Sequence, residues 1–257
     1  MPTKPDTATA KADTATALLT VRGLKVHYAL RTNAVARLIG RSSGVVRAVD
    51  GVDLDLAAGE VLGVVGESGS GKSTLGRALL GLVTPTAGTI TFHGQELTGL
   101  RESRLRPLRR RLQMVFQDPH ASLNPSMTIG RAISDALRIH GLHAEDREQA
   151  VANALERVGL APATRFMPKY PPELSGGQKQ RAAIARAISL GPELLVADEP
   201  ISMLDMSVRA KILGLLQELK RDLGLTYLYI THDLASARFF CDRIAIMYLG
   251  KVVEIGP

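Results

Sequence analysis

The sequence predicts an α/β fold: a parallel sheet with an N-terminal antiparallel β-layer and an inserted helical subdomain. Three observations lead there. Short apolar runs at 61–65, 194–197 and 226–230 each precede a helical pattern, the alternation that parallel strands and crossover helices produce. Between residues 18 and 56, apolar and polar residues alternate in strand fashion, as in strands with one wet face. Between about 118 and 175 only helical spacing is found.

Taken in order, residues 1–17 hold five Thr and five Ala without an apolar core. That composition fits a disordered tail and lacks the hydrophobic stretch of a secretory signal. One domain, 18–257, remains. Its first strands are marked by Leu19 and Val21, by Val45, Val46 and Ala48, and by Val52, Leu54 and Leu56. The polar insertion 29–44 interrupts them, giving a small antiparallel layer with a long loop. After the strand at 61–65, a helix places Leu75, Leu79 and Leu82 on one face. Helices are expected at 128–140 and 145–158 within the approximate subdomain 118–175. A later helix, starting near Ser207, carries Val208, Ile212, Leu215, Leu216 and Leu219 on one face.

Of the 257 residues 45% are hydrophobic, enough for a sizeable core, so disorder of the whole chain is excluded. One cysteine, Cys241, excludes an intramolecular disulfide framework and a Cys-based metal site. No apolar run approaches the length of a membrane-spanning helix, so a membrane role is expected to be peripheral. The net charge of +7 lies wholly between 18 and 111, where 14 basic residues face 7 acidic ones. Arg31, Arg37 and Arg41 in the insertion and six Arg between 101 and 111 dominate it. Nucleic acid or anionic lipid could account for such charge, but no aromatics are interleaved for base stacking, which favours solvated basic loops.

Chemistry is concentrated in Gly66, Glu67, Ser68, Gly69, Ser70, Gly71, Lys72 and Ser73, followed by Thr74. They satisfy the P-loop pattern directly after a strand and before a helix. Glycines there let backbone N–H groups converge on a phosphate at a helix N-terminus. Lys72 would reach the β- and γ-phosphates of ATP, and Ser73 would ligate Mg²⁺ through its hydroxyl. The run 194–199 is a buried-type strand ending in Asp198 and Glu199. Asp198 suits the acidic partner of Mg²⁺, and Glu199 suits the group that orients or deprotonates the attacking water.

At Leu174, Ser175, Gly176, Gly177 and Gln178 the sequence resembles the signature of the ABC ATPase family, over about 18–256. The other family motifs stand in the expected order. Gln117, in Phe116-Gln117-Asp118-Pro119, resembles the Q-loop, which implies a link between Mg²⁺, the water and the helical subdomain. The segment 202–205, ending in Asp205, resembles the D-loop, and His232 the switch histidine that contacts the γ-phosphate. The resemblance implies two such domains sandwiching two ATP molecules, with Ser175, Gly176, Gly177 and Gln178 facing the partner's γ-phosphate from a helix starting near Gln178. It gives Tyr28 the place of an aromatic shelf for adenine; the other reading is a strand aromatic packed in the β-layer.

Residues 117–125 and the insertion before 45–51 resemble the ATP-binding subunits of oligopeptide and dipeptide importers. This implies a second ABC ATPase subunit, itself or a paralogue, two membrane permease subunits and, indirectly, an external substrate-binding protein. The expected place is the cytoplasmic face of the cell membrane, without nucleic acid. Members of that group usually continue past the 250–257 region into a C-terminal extension. Import of nickel or another small solute stays open, as does a soluble ABC ATPase acting on nucleic acid or the ribosome.

Overall fold

A six-stranded sheet and a four-stranded antiparallel sheet enclose one helix between them, and the other core-forming helices cover the far face of the larger sheet. The computed structural model describes residues 17–29, 44–119 and 122–257. Of the expected tail at 1–17 only Ala17 is among them, and it belongs to a strand; the rest of the tail and most of the insertion, with Arg31, Arg37 and Arg41, lie outside them.

In the smaller sheet β1 (Ala17–Ala29) pairs antiparallel with β2 (Val45–Ala57) on one side and with β4 (Ala87–Phe92) on the other, and β5 (Gln95–Glu96) adds to β4. Leu19, Val21, Leu24 and Val26 are buried, while Thr20 and Arg22 are half-buried. The larger sheet runs β10-β9-β3-β8-β7-β6. Its strands β3 (Val61–Val65), β6 (Leu112–Val115), β7 (Leu194–Asp198), β8 (Thr226–Thr231) and β9 (Arg243–Tyr248) are parallel. Strand β10 (Lys251–Gly256) closes the edge antiparallel to β9.

β3, β7 and β8 are buried along their whole length, which explains their unbroken apolar text. Their side chains alternate between two cores. Leu62, Val64, Leu194, Val196, Leu228 and Ile230 pack with the antiparallel layer and α1 (Lys72–Leu79). Leu195, Ala197, Tyr227 and Tyr229 pack with the helices on the other face.

Helix α1 buries Leu75 and Leu79, but Leu82 lies beyond its end and is exposed. The reason is Gly81, whose φ of +63° turns the chain out of the helix while Leu82 N–H bonds Arg77 O at 2.9 Å. The arginine-rich stretch is not a loop but a helix, α2 (Glu102–Arg111), with no buried residue. Its arginines hold neighbouring segments: Arg109 donates to Gly81 O at 3.0 Å, Arg110 to Leu190 O at 3.2 Å, and Arg111 bonds Glu193 and lies 5.0 Å over the Phe92 ring.

Next come α3 (Ile129–Ile139), α4 (Arg147–Arg157), α5 (Ala163–Phe166) and α6 (Gly176–Ile188). The Thr128 hydroxyl caps α3 by accepting from Arg131 N–H. Ile133 and Leu137 of α3, Val151 and Leu155 of α4 and Ala182 and Ala185 of α6 share one core with the sheet. Helix α6 starts at Gly176, two residues before Gln178, because the Ser175 hydroxyl accepts from Gln178 N–H while the Gln178 side chain accepts from Ser175 N–H. Helix α7 (Met206–Leu223) buries Ile212, Leu215, Leu216 and Leu219 with Val208 half-buried, and α8 (Leu234–Phe240) follows β8.

Candidate functional site

Parallel register places the site. Val65 pairs with Thr231 and Asp198 with Ile230, so Gly66, Glu199 and His232 all leave adjacent strands at their carboxyl ends. A cleft of about 860 Å³ opens there, lined by Ser68, Gly69, Gly71, Lys72, Ser73, Thr74, Gln117, Glu199 and His232 together with residues of β2 and the β9–β10 turn.

The glycines of the loop are required by geometry. Gly71 has φ +105°, and a Cβ there would stand 1.9 Å from Ala48 O; at Gly66 it would stand 2.1 Å from Met247 O. The loop is therefore pressed against β2 and β9 and leaves its inner side open. Ser70 Oγ is buried without a hydrogen-bond partner, a donor free for an anion. Lys72 is only 4% exposed, and its Nζ donates to Gly66 O and Glu67 O, both at 2.8 Å. Burial pushes the Lys72 ammonium below its usual range, while the Glu199 and Asp198 carboxylates oppose that shift.

Asp198, at the end of β7, is 2% exposed, and its Oδ1 accepts from Ser73 Oγ at 2.9 Å. Burial raises its pKa and the Ser73 hydrogen bond counters the rise. A hydroxyl and a carboxylate in contact are the hard oxygen donors that Mg²⁺ takes. Glu199 sits at φ +46°, where a side chain is strained. Its backbone is held by Glu199 N–H to Ile230 O at 2.9 Å and by the Ser202 hydroxyl on Glu199 O at 3.0 Å. Its Oε2 accepts from Gln117 Nε2 at 2.9 Å and lies 3.2 Å from His232 Nδ1.

The cleft does not include every residue picked out from the sequence. Gly66, Glu67, Ser70, Asp198, Ser175, Gly176, Gly177, Gln178 and Asp205 do not line it. Asp205 caps α7, accepting from Val208 N–H at 3.0 Å and from Ser207 Oγ at 2.8 Å, and these bonds hold its carboxyl below the usual range. Gly176 shares a smaller pocket of about 130 Å³ with Gln117, Pro200 and Met203. Tyr28 is exposed and stands outside the lining, directly opposite Val46 in the β1–β2 ladder. Directly paired residues share a sheet face, so Tyr28 flanks the cleft beside Val46.

The sequence reading missed Val45, Val46, Arg47 and Ala48 as cleft residues, and Leu249 and Gly250 of the β9–β10 turn. No motif marks them, since strand register alone brings them to the loop. His27, His93 and His143 each meet a carboxylate, of Asp50, Glu193 and Asp146, at 3.0, 2.6 and 3.0 Å.

A strand, a glycine loop and a helix beside an acid-ended strand define the P-loop class of α/β proteins. A family model described as ABC transporter matches residues 49–202, and the chain belongs to that family. It is 49% identical over 241 residues to the glutathione import ATP-binding protein GsiA of Salmonella paratyphi A, covering 93% of this chain and 38% of that protein. It is 47% identical over 240 residues to the oligopeptide transport ATP-binding protein AppF of Bacillus subtilis, covering 93% and 71%. The chain thus spans less than half the length of the GsiA relatives it matches. Among solved structures, the dimeric post-hydrolysis state of the ATP-binding cassette MJ0796 bound to ADP and Pi aligns with a TM-score of 0.79 at 29% identity, covering 93% and 97%. CbiO1 from Clostridium perfringens, part of the transporter complex cbiONQ, aligns with a TM-score of 0.78 at 29% identity, covering 94% and 88%.

Proposed function

We propose that the chain binds and hydrolyses ATP to power an importer of di- or oligopeptides, working as a nucleotide-sandwich dimer docked on separate permease subunits. The observation that carries it is the meeting of Gln117, Glu199 and His232 beside the P-loop residues Lys72 and Ser73. Lys72 and the loop amides bind the β- and γ-phosphates, His232 contacts the γ-phosphate, and Glu199 takes the proton of the attacking water, which Gln117 orients. Ser73, Asp198 and Gln117 would hold Mg²⁺, which neutralises phosphate charge when bound. Ser175, Gly176, Gly177, Gln178 and Asp205 serve the partner subunit's nucleotide.

The peptide class is supported by the chain's similarity to GsiA and AppF, proteins of glutathione import and oligopeptide transport. Residues 18–257 form the ATPase domain, with its helical subdomain at about 118–175, placed peripherally on the cytoplasmic face of the cell membrane. Among the described residues no helix is long and apolar enough to cross a membrane. The engagement of Arg109, Arg110 and Arg111 within the chain speaks against a nucleic-acid surface.

The test is Mg-ATP hydrolysis by the protein purified with its co-expressed partners, in parent, Lys72→Ala and Glu199→Gln forms. Loss in both variants, with two hydrophobic permease subunits recovered from detergent extracts, supports the reading. Normal hydrolysis in both variants, or recovery of ribosomes or DNA in place of permeases, refutes it.

A further inference from the structure

The turn between β9 and β10 is tied into the cleft. Gly250 N–H donates to Ser70 O at 2.9 Å, Gly250 O accepts from Asp50 N–H at 2.8 Å, and Met247 O occupies the space a Cβ on Gly66 would need. Leu249, at the tip, has φ +45° and is 70% exposed. Both properties disfavour leucine there: the left-handed backbone is strained for a side chain, and exposure gives the side chain no burial in return. Glycine would avoid both.

Leu249 lines the same cleft as Val45 and Val46, two further exposed aliphatic residues on β2. The remaining side chains of the lining, including Ser68, Lys72, Ser73, Gln117, Glu199 and His232, are mostly polar or charged. The cleft therefore combines a phosphate-binding set with an aliphatic group that phosphate cannot use.

We propose that the β9–β10 turn is a base-recognition element in which Leu249, with Val45 and Val46, packs on the nucleobase and favours the larger purine over a pyrimidine. The proposal rests on the reading of this cleft as a nucleotide site. Because Gly250 bonds Ser70, base contact is made by a turn fastened to the phosphate loop itself, and both ends of one ligand are read by one connected piece of backbone.

The test is calorimetric titration of parent, Leu249→Gly and Leu249→Asp proteins with ATP, UTP and tripolyphosphate. Leu249→Gly relieves the backbone, so it is expected to unfold at or above the parent temperature. Its ATP affinity falls about fivefold, the loss of one partly buried apolar contact. Its tripolyphosphate affinity stays at the parent value, and its preference for ATP over UTP shrinks. Leu249→Asp shows a larger ATP loss. Parent-like ATP affinity in both variants overturns base recognition while leaving the nucleotide site standing. An equal loss for ATP and tripolyphosphate shows that the turn only props the loop, and also overturns it. A parent protein that binds neither ligand overturns the nucleotide reading and the base shelf with it.

Discussion

His232 Nδ1 lies 3.2 Å from Glu199 Oε2, the same oxygen to which Gln117 Nε2 donates at 2.9 Å. Three segments distant in sequence thus converge on one carboxylate oxygen. Replacing Glu199 by Gln removes the proton acceptor but keeps an oxygen for these contacts. Phosphate release by Glu199→Gln is expected to fall by about 10²-fold or more, with ATP affinity close to the parent value in equilibrium titration. An equal collapse of ATP binding would show that Glu199 builds the cradle instead.

Asp198 separates stability from activity. Its pKa is raised by burial, so between the unfolded value, 3.8, and the higher folded value the native state holds more protons. Stability conferred by the protonated form is lost as pH rises through that window. At neutral pH the buried charge is a liability, and Asp198→Asn can still accept from Ser73. The variant is expected to melt about 2 °C or more above the parent while losing hydrolysis, measured by thermal unfolding and phosphate release at neutral pH. A lower melting temperature would show that the Ser73 contact outweighs the desolvation of the carboxylate.

Gly71→Ala adds a methyl group 1.9 Å from Ala48 O at a φ of +105°. Backbone strain and a clash with main chain combine, and a loss of about 2–4 kcal/mol is expected in denaturant unfolding. Gly69→Ala has a similar φ, +81°, but open space around the new Cβ. It should lose only about 1 kcal/mol; equal losses would mean that strain alone sets the value.

The acid limb of stability involves Glu193. Arg111, with a smaller part from His93, holds its carboxyl below the ordinary 4.5. This contribution is present above the unfolded pKa and is lost as pH falls through the folded value. Glu193→Gln should therefore lose less stability than the parent on acidification from about pH 5 to about pH 3, read by unfolding midpoints at each pH. Parallel curves would remove Glu193 from the acid response.

Legibility in the sequence followed the range of the interactions. β3, β7 and β8 stand out because both faces are buried, which leaves unbroken apolar runs. β6 escaped because it is four residues long, includes the half-buried Gln113 and follows directly on the arginines of α2. The β9–β10 hairpin escaped because the exposed Tyr248, Val253 and Glu254 blur its pattern. At the site, Lys72, Ser73, Asp198 and Glu199 belong to local motifs whose spacing is their geometry. Val46 and Leu249 do not: register and a turn bring them together from opposite ends of the chain.

The two-sided packing of β3, β7 and β8 makes the large sheet a partition. Helices α3 to α6 press on one side of it, while α1 and the antiparallel layer press on the other. No side chain of α3 or α4 enters the second core. Rearranging those helices therefore repacks one hydrophobic compartment and spares the one that anchors the phosphate loop. Gln117, which follows β6 on the edge of this wall, reaches Glu199 from outside both compartments.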